Sequence, residues 1–120
     1  MMSNTVFLRG RIIDVQKGEI QIKGNLELLE ICFHIETRNN EITETHPVLA
    51  YGRMAIRMMA LLEAKLIPVE GVIEGQLSTK NEASITIARN ITLFQSRRES
   101  RLLRYHMQQL MDETIEKKKG

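Results

Sequence analysis

Hydrophobic and polar residues alternate along much of the chain before position 95. Within residues 5–15, Val6 and Leu8 alternate with Phe7 and Arg9, and a period of two is the period of a β-strand. The same alternation, bounded by glycine and asparagine, predicts further strands over residues 28–38, 43–51, 66–77 and 84–94. Most of the chain is therefore expected to form β-structure.

Two segments depart from this pattern of long strands. Residues 18–25, GEIQIKGN, are interpreted as a short strand or hairpin arm between two glycines. In residues 53–64 the apolar positions Met54, Met58 and Leu61 recur at helical spacing. A single helix is therefore predicted between the third and fourth long strands.

Three glycines lie inside the predicted strands. Gly10, Gly71 and Gly75 occupy positions where glycine marks a bulge or a sharp bend. Curled strands with one helix after the third favour a small Greek-key barrel over a sandwich or a parallel α/β sheet. The helix would plug one open end of the barrel, so its methionines are expected in the core. This is the layout of the OB-fold, a mainly β fold whose five-stranded barrel binds oligonucleotides or sugars on one face.

The end of the chain predicts a second helix. Ser96 and Glu99 have the spacing of a capping box, in which each side chain accepts a hydrogen bond from the other residue's amide. Leu103, Met107 and Leu110 follow as an apolar stripe. Because an isolated helix of this length is marginally stable, we expect the stripe to dock on the barrel or to pair with a second chain.

The balance of charged residues also changes near residue 95, before the predicted second helix. Residues 1–95 carry ten Lys and Arg against eleven Asp and Glu, whereas residues 96–120 carry seven against four. We therefore expect an OB-fold domain over residues 1–95 and a basic amphipathic helix over residues 96–120. A basic segment is compatible with a nucleic-acid partner, although a charge run is more often a solvated face.

The composition is that of an ordinary soluble protein with one domain. The chain has 120 residues, of which 42% are hydrophobic and 27% charged. No apolar run approaches the roughly 20 residues that span a bilayer, and the N-terminus lacks the pattern of a signal peptide. We expect no membrane contact and a cytoplasmic location. The single cysteine, Cys32, agrees, because it cannot form an internal disulfide.

The sequence contains no recognisable catalytic constellation. His34, His46 and His106 are scattered, without a cysteine or carboxylate at the spacing of a metal motif. Phosphate-binding loops, dinucleotide fingerprints and nucleophile elbows are also missing from the sequence. We expect a protein that is not an enzyme and that uses neither a metal nor another cofactor.

Five collinear segments resemble the successive motifs of bacterial single-stranded DNA-binding proteins and the related primosomal replication protein N. The first, NTVFLRGRI, matches a strand of the form Asn-x-Val-x-Leu-x-Gly-Arg. The third, HPVLAYGRMA, matches a strand that ends on an aromatic-Gly-basic triplet before a helix. The others are ICFHIETR, VIEGQL and ITIARNITLF. Each motif alone is weakly specific, and the resemblance depends on their shared order.

The resemblance implies an OB-fold protein that binds single-stranded DNA without sequence preference. Its expected setting is DNA replication, recombination, or plasmid or phage DNA transfer, and its expected assembly is a homodimer or homotetramer. One alternative is a primosomal-type accessory protein that mainly binds other replication proteins. Others are an RNA-binding OB domain and an interaction module that keeps the fold without binding nucleic acid.

The sequence also departs from the single-stranded DNA-binding family. It contains no tryptophan, and its aromatic residues are three phenylalanines and two tyrosines. Each base stacked on an aromatic ring contributes about 1–3 kcal/mol, so fewer rings imply weaker binding or more dependence on phosphate contacts. A basic helix replaces the family's glycine-rich linker and acidic tip, so recruitment of partner proteins through such a tip is not expected.

The candidate nucleic-acid contacts combine aromatic rings with arginines. Phe7 shares a predicted strand face with Arg9 and Arg11, and Tyr51 ends a strand just before Gly52. The complete predicted set is Phe7, Arg9, Arg11, Arg38, Tyr51, Arg53, Arg57 and Arg89. A further basic surface on the tail helix, which either extends this set or only keeps the helix soluble, consists of Arg97, Arg98, Arg101 and Arg104.

Overall fold

The computed structural model describes residues 4–16, 29–80 and 83–119. In chain order its elements are β1 (Thr5–Gln16), β2 (Glu30–Asn39), β3 (Ile42–Tyr51), α1 (Arg53–Glu63), β4 (Val69–Lys80), β5 (Ala83–Leu93) and α2 (Arg97–Lys119). The five long strands and both helices predicted from the hydrophobic pattern are confirmed, with their ends shifted by a few residues. The predicted hairpin arm over residues 18–25 lies outside the described residues.

The strands form a closed barrel in the order β1-β2-β3-β5-β4. Every pairing is antiparallel except that of β3 with β5, where Val48 and Leu49 lie opposite Thr86 and Ile87. One helix follows β3 and another follows β5. The predicted fold class, a mainly β OB-fold barrel with an added C-terminal helix, is confirmed.

The first strand closes the barrel by pairing on both sides. Its first part pairs with β4 and its last part with β2, and Arg11 and Ile12 pair with both. Next to the positions that pair with both strands, a Cβ atom on Gly10 would lie 2.1 Å from the carbonyl oxygen of Glu36. Only glycine lets β1 and β2 approach this closely, which gives a physical reason for the glycine of the first motif.

The barrel core is built from the inward positions of the strands. On β2 the residues Ile31, Phe33 and Ile35 are buried, whereas their neighbours along the strand are only partly buried or exposed. Helix α1 adds Ile56 and Met58, and its other methionines lie in or against the same cluster, as predicted for core residues. These side chains belong to one hydrophobic cluster that joins the barrel and both helices.

Backbone geometry fixes where α1 begins and ends. Gly52 has a positive φ of 62°, and its amide donates to the carbonyl of Leu29 at 2.8 Å. Such a conformation favours glycine, so the strand can turn at once into the helix. At the other end Lys65 is left-handed, and the amides of Lys65 and Leu66 donate to the carbonyls of Leu62 and Leu61 in a Schellman arrangement.

The capping box predicted for α2 is confirmed. The Glu99 amide donates to the Ser96 hydroxyl at 3.1 Å, and the Ser96 amide donates to the Glu99 carboxylate at 2.9 Å. The hydrogen bond from the Ser96 backbone amide, followed by the interaction with the Ser96 side chain, lowers the pKa of the Glu99 carboxyl. The helix therefore has a defined first turn immediately after the barrel.

Helix α2 docks within its own chain. It packs against α1, where Leu103 is buried and Met107, Leu110 and Met111 are partly buried against the core cluster. The stripe was predicted to dock on the barrel or to pair with a second chain, and it is observed to dock within the same chain, mainly on α1 rather than on the strands. The described part of the stripe is therefore occupied and gives no argument for pairing with a second chain.

Candidate nucleic-acid interface

The outer face of β1 presents an aromatic ring between polar neighbours. Phe7, Arg9 and Arg11 are exposed at alternate positions, and 67% of Phe7 is accessible to solvent. Alternate residues of a strand lie about 7 Å apart on the same face. The structure therefore places the ring and the two guanidiniums of the first motif in one row on the barrel surface.

A second exposed ring lies across the neighbouring strand. The Arg9 guanidinium carbon lies 5.5 Å from the centre of the Phe94 ring, over its face. Phe94 directly follows β5, and its amide donates to the carbonyl of Glu70 on β4. The cation–π contact holds Arg9 across β4, while 49% of Phe94 stays exposed. Two accessible rings with a guanidinium beside them therefore lie together on the surface. This group of residues, here called the barrel patch, consists of Phe7, Arg9 and Phe94.

An open depression of about 570 Å³ adjoins the barrel patch. Its lining residues are Arg9, Gly10, Arg11, Glu36, Arg38 and Glu70. Arg11 forms an ion pair with Glu36 at 3.2 Å. Arg9 and Arg38 have no carboxylate within ion-pair distance among the described residues. Two of these three guanidiniums are therefore available to an anion such as a phosphate.

The charges on this side of the barrel almost cancel. Arg89 on β5 donates to the side-chain oxygen of Gln76 on β4, level with the start of β1. Glu70 and Glu74 on β4 pair across from Arg11 and Phe7. Among the described residues this face carries three glutamates, counting Glu36, against the four arginines Arg9, Arg11, Arg38 and Arg89. One net positive charge gives only weak attraction for a polyanion.

Tyr51 and Arg53 lie elsewhere on the barrel. Tyr51 pairs with Glu30 on β2, whereas Arg11 pairs with Glu36, six residues further along the same strand. Six residues of strand correspond to about 20 Å. The Tyr51 ring is partly buried, and burial together with the charge of Glu30 raises the pKa of its phenol. Arg53 is exposed at the start of α1. The structure does not bring these two residues to the barrel patch.

Arg57 makes a structural contact. Its guanidinium is half-buried between α1 and the barrel and donates to the carbonyl of Ile91 on β5. Burial lowers the pKa of this guanidinium. This hydrogen bond to the backbone of β5 holds α1 on the barrel, so at least one donor of Arg57 is used within the fold.

The tail arginines lie on the solvent side of α2. Arg97, Arg98, Arg101 and Arg104 are all exposed. An open depression of about 450 Å³ is lined by Gln95, Arg97, Ser100, Arg101 and Arg104. The basic surface predicted from the sequence is therefore a continuous feature of the helix, immediately after Phe94 in the chain.

The described residues contain neither a metal cluster nor a membrane-spanning helix. Across residues 4–16, 29–80 and 83–119, no three His, Cys, Asp or Glu side chains are grouped so that they could hold a metal ion. Within the same ranges no helix is both long and apolar enough to cross a bilayer.

Two exposed aromatics were absent from the predicted site. The alternation along β5 does not by itself indicate Phe94, because the register with β4 shifts next to Gly75 and changes the phase of the strand. The shift places Thr92 and Phe94 on the outer side. Tyr105 is 58% exposed, and its position one turn after Arg101 is visible in the sequence. For Tyr105 the signal is a ring out of phase with the core positions of the helix.

Comparison with solved structures gives a consistent result. A small single-stranded DNA binding protein from Mycoplasma pneumoniae superposes with a TM-score of 0.55 at 21% identity, covering 80% of this chain and 97% of that one. The dimeric N-terminal domain of the PriB protein from Thermoanaerobacter tencongensis gives 0.51 at 21% identity, covering 78% and 98%. The mitochondrial single-stranded DNA binding protein Rim1 from S. cerevisiae gives 0.59 at 12% identity, covering 80% and 100%.

Comparisons by sequence are negative: no protein-family model matches the chain, and no curated protein sequence matches it. At these low identities, the superpositions establish a common fold. The resemblance seen in the ordered motifs is thus confirmed by the three-dimensional structure, and the chain has the OB-fold of the small single-stranded DNA-binding and PriB proteins.

Proposed function

We propose that the protein binds single-stranded DNA without sequence preference and has no catalytic activity of its own. The observation that carries the proposal is the barrel patch, in which Phe7 and Phe94 are exposed on either side of Arg9. Every base has a flat face that can stack on such a ring, and a guanidinium beside it can hold the backbone phosphate. The fold shared with single-stranded DNA-binding proteins supports this assignment.

The proposed setting is DNA replication, recombination, or plasmid or phage DNA transfer, in the cytoplasm and without a metal or other cofactor. We also propose a homodimer or homotetramer, supported by the dimeric form of the PriB domain with the same fold. Analytical ultracentrifugation of the full chain would measure this directly. A monomer at the concentrations used for DNA binding would contradict it.

A second candidate is a primosomal-type accessory protein that mainly binds other replication proteins. The specific observation in its favour is the near-balance of arginines and glutamates on the patch side of the barrel. A weakly charged face and few aromatic rings would give weak DNA binding. The two candidates differ in the expected affinity for DNA rather than in the fold.

Fluorescence anisotropy with labelled dT, rU and duplex oligonucleotides tests the proposal. We expect dT to bind at low salt, because its unstacked bases can reach the barrel patch and duplex bases cannot. Binding should weaken as salt rises, because phosphate contacts release counterions. No binding of dT at low salt would refute the leading proposal and favour the accessory protein, and tighter binding of rU would identify RNA as the ligand.

A further inference from the structure

The basic charge that the barrel face lacks is concentrated at the start of α2. The first two turns carry Arg97, Arg98, Arg101 and Arg104 against a single carboxylate, that of Glu99. The Glu99 carboxylate accepts a hydrogen bond from the Ser96 amide. Among the described residues, no carboxylate lies within ion-pair distance of any of the four guanidiniums. An unneutralised row of this kind is complementary to a polyanion.

The direction of this face follows from the docking of the helix. Leu103 and Met107 face the core cluster, and successive residues of a helix turn by about 100°. Arg97, Arg101 and Tyr105, at spacings of four, therefore share the opposite, solvent side. The Tyr105 hydroxyl accepts a hydrogen bond from Gln109 at 2.8 Å, while the ring stays largely exposed. The helix thus repeats the combination of the barrel patch, a ring beside guanidiniums.

The two surfaces are continuous along the chain. Only Gln95 and Ser96 separate Phe94 from Arg97, so the Cα atoms of Phe94 and Arg97 lie at most about 11 Å apart. From Arg97 to Tyr105 the helix rises by about 12 Å. A single strand of DNA that leaves the barrel at Phe94 would reach the arginines of α2 next.

We propose that the solvent face of α2, formed by Arg97, Arg98, Arg101, Arg104 and Tyr105, is a second contact for single-stranded DNA. The arginines bind phosphates of the strand beyond Phe94, and Tyr105 stacks on a base. This proposal rests on the proposed function and extends it, because it assigns most of the phosphate binding to the helix rather than to the barrel.

Tyrosine fluorescence gives a direct test, because the chain has no tryptophan and two tyrosines. In the Tyr51→Phe variant, Tyr105 is the only tyrosine. We expect dT of about 15 nucleotides to quench its emission and dT of about 6 nucleotides to quench it much less. The two lengths approach the extremes of OB-fold site sizes. Unchanged Tyr105 emission at saturation, with binding confirmed by anisotropy, would overturn the proposal.

Charge variants supply a matched second test. Arg97→Gln, Arg101→Gln and Arg104→Gln together remove three positive charges from the proposed face. Lys117→Gln, Lys118→Gln and Lys119→Gln remove three from the other end of the same helix. The arginine variant should flatten the dependence of log affinity on log salt by about 2, because each phosphate bound on a single strand adds roughly 0.7 to that slope. The lysine variant should change it by less than half as much.

The outcomes separate this proposal from the one on which it rests. If the wild-type protein binds neither length of dT, both proposals fail. If it binds but the two charge variants behave alike, the helix face is not a specific contact and only the second proposal fails. If the arginine variant changes the sedimentation coefficient but not the salt dependence, the face is a contact between chains, which also overturns the second proposal.

Discussion

Phe7 is the residue on which the proposed barrel site most depends. It stands on the same strand face as Arg9 and is two-thirds exposed, so packing in the core does not account for it. In the free protein this ring exposes apolar surface to water, which is unfavourable. A stacked base would cover that surface.

We expect Phe7→Ala to weaken binding of dT by roughly 5- to 150-fold, since one stacked base contributes about 1–3 kcal/mol. The matched control is Ile42→Ala, because Ile42 is equally exposed and lies beside Thr37, Asn39 and Glu44. These residues occupy the hairpin face opposite Arg38. Anisotropy titrations at one salt concentration would compare the two variants. Equal losses would indicate that the effect is not specific to the barrel patch.

Gly10 is the residue on which closure of the barrel depends. In Gly10→Ala the new Cβ would clash with the Glu36 carbonyl oxygen, and a backbone atom cannot move aside without separating β1 from β2. Overpacking of this kind costs about 1–3 kcal/mol or more. Urea unfolding should show a clearly lower midpoint than for Gln16→Ala, an exposed change on the same strand. A wild-type midpoint for Gly10→Ala would contradict the close approach.

At the scale of elements, the strands and helices could be predicted because their hydrophobic periods are local. The environment of the Tyr51 ring could not be predicted in this way. The strand-ending aromatic suggested an open ring, but pairing with Glu30 and partial burial depend on which strands meet in the barrel. Phe94 was missed for a related reason, because a register shift between β4 and β5 changes the phase of the strand.

The capping box makes the first turn of α2 sensitive to pH. The pKa of Glu99 is lowered in the folded protein, so its stabilisation is present above the ordinary pKa of a glutamate and lost as pH falls through the lowered value. Wild type should therefore melt at a higher temperature than Glu99→Gln near neutral pH. In strong acid the two should coincide. Circular dichroism melts would measure both, and a difference that grows on acidification would contradict the capping role.

The docking of α2 can be tested at its most buried residue. Leu103 is 4% exposed against α1, and truncating a buried leucine costs about 2–5 kcal/mol. Leu103→Ala should therefore loosen α2 and increase hydrogen exchange of its backbone amides. Leu102→Ala changes an exposed neighbour and serves as the control. Protection in α2 that is the same for both variants would mean that the helix is held by other contacts.

At the scale of the whole molecule, rings and charges are distributed unevenly. The barrel supplies two exposed rings but almost balanced charge, and the helix supplies four exposed arginines and one more ring. The basic tail could be predicted from composition, because the net charge of a segment is the sum of the charges of its residues. It could not predict that the tail begins beside the barrel patch, since that depends on where β5 ends in the closed barrel.

Ultraviolet cross-linking of a short dT oligomer to the wild-type protein, with the modified residues identified by mass spectrometry, tests the barrel site most directly. We expect adducts on Phe7 or Phe94, because these rings are exposed beside Arg9 and accessible to bases. Adducts confined to Tyr51 and α1, with both phenylalanines unmodified, would contradict the assignment of single-strand binding to this face of the barrel.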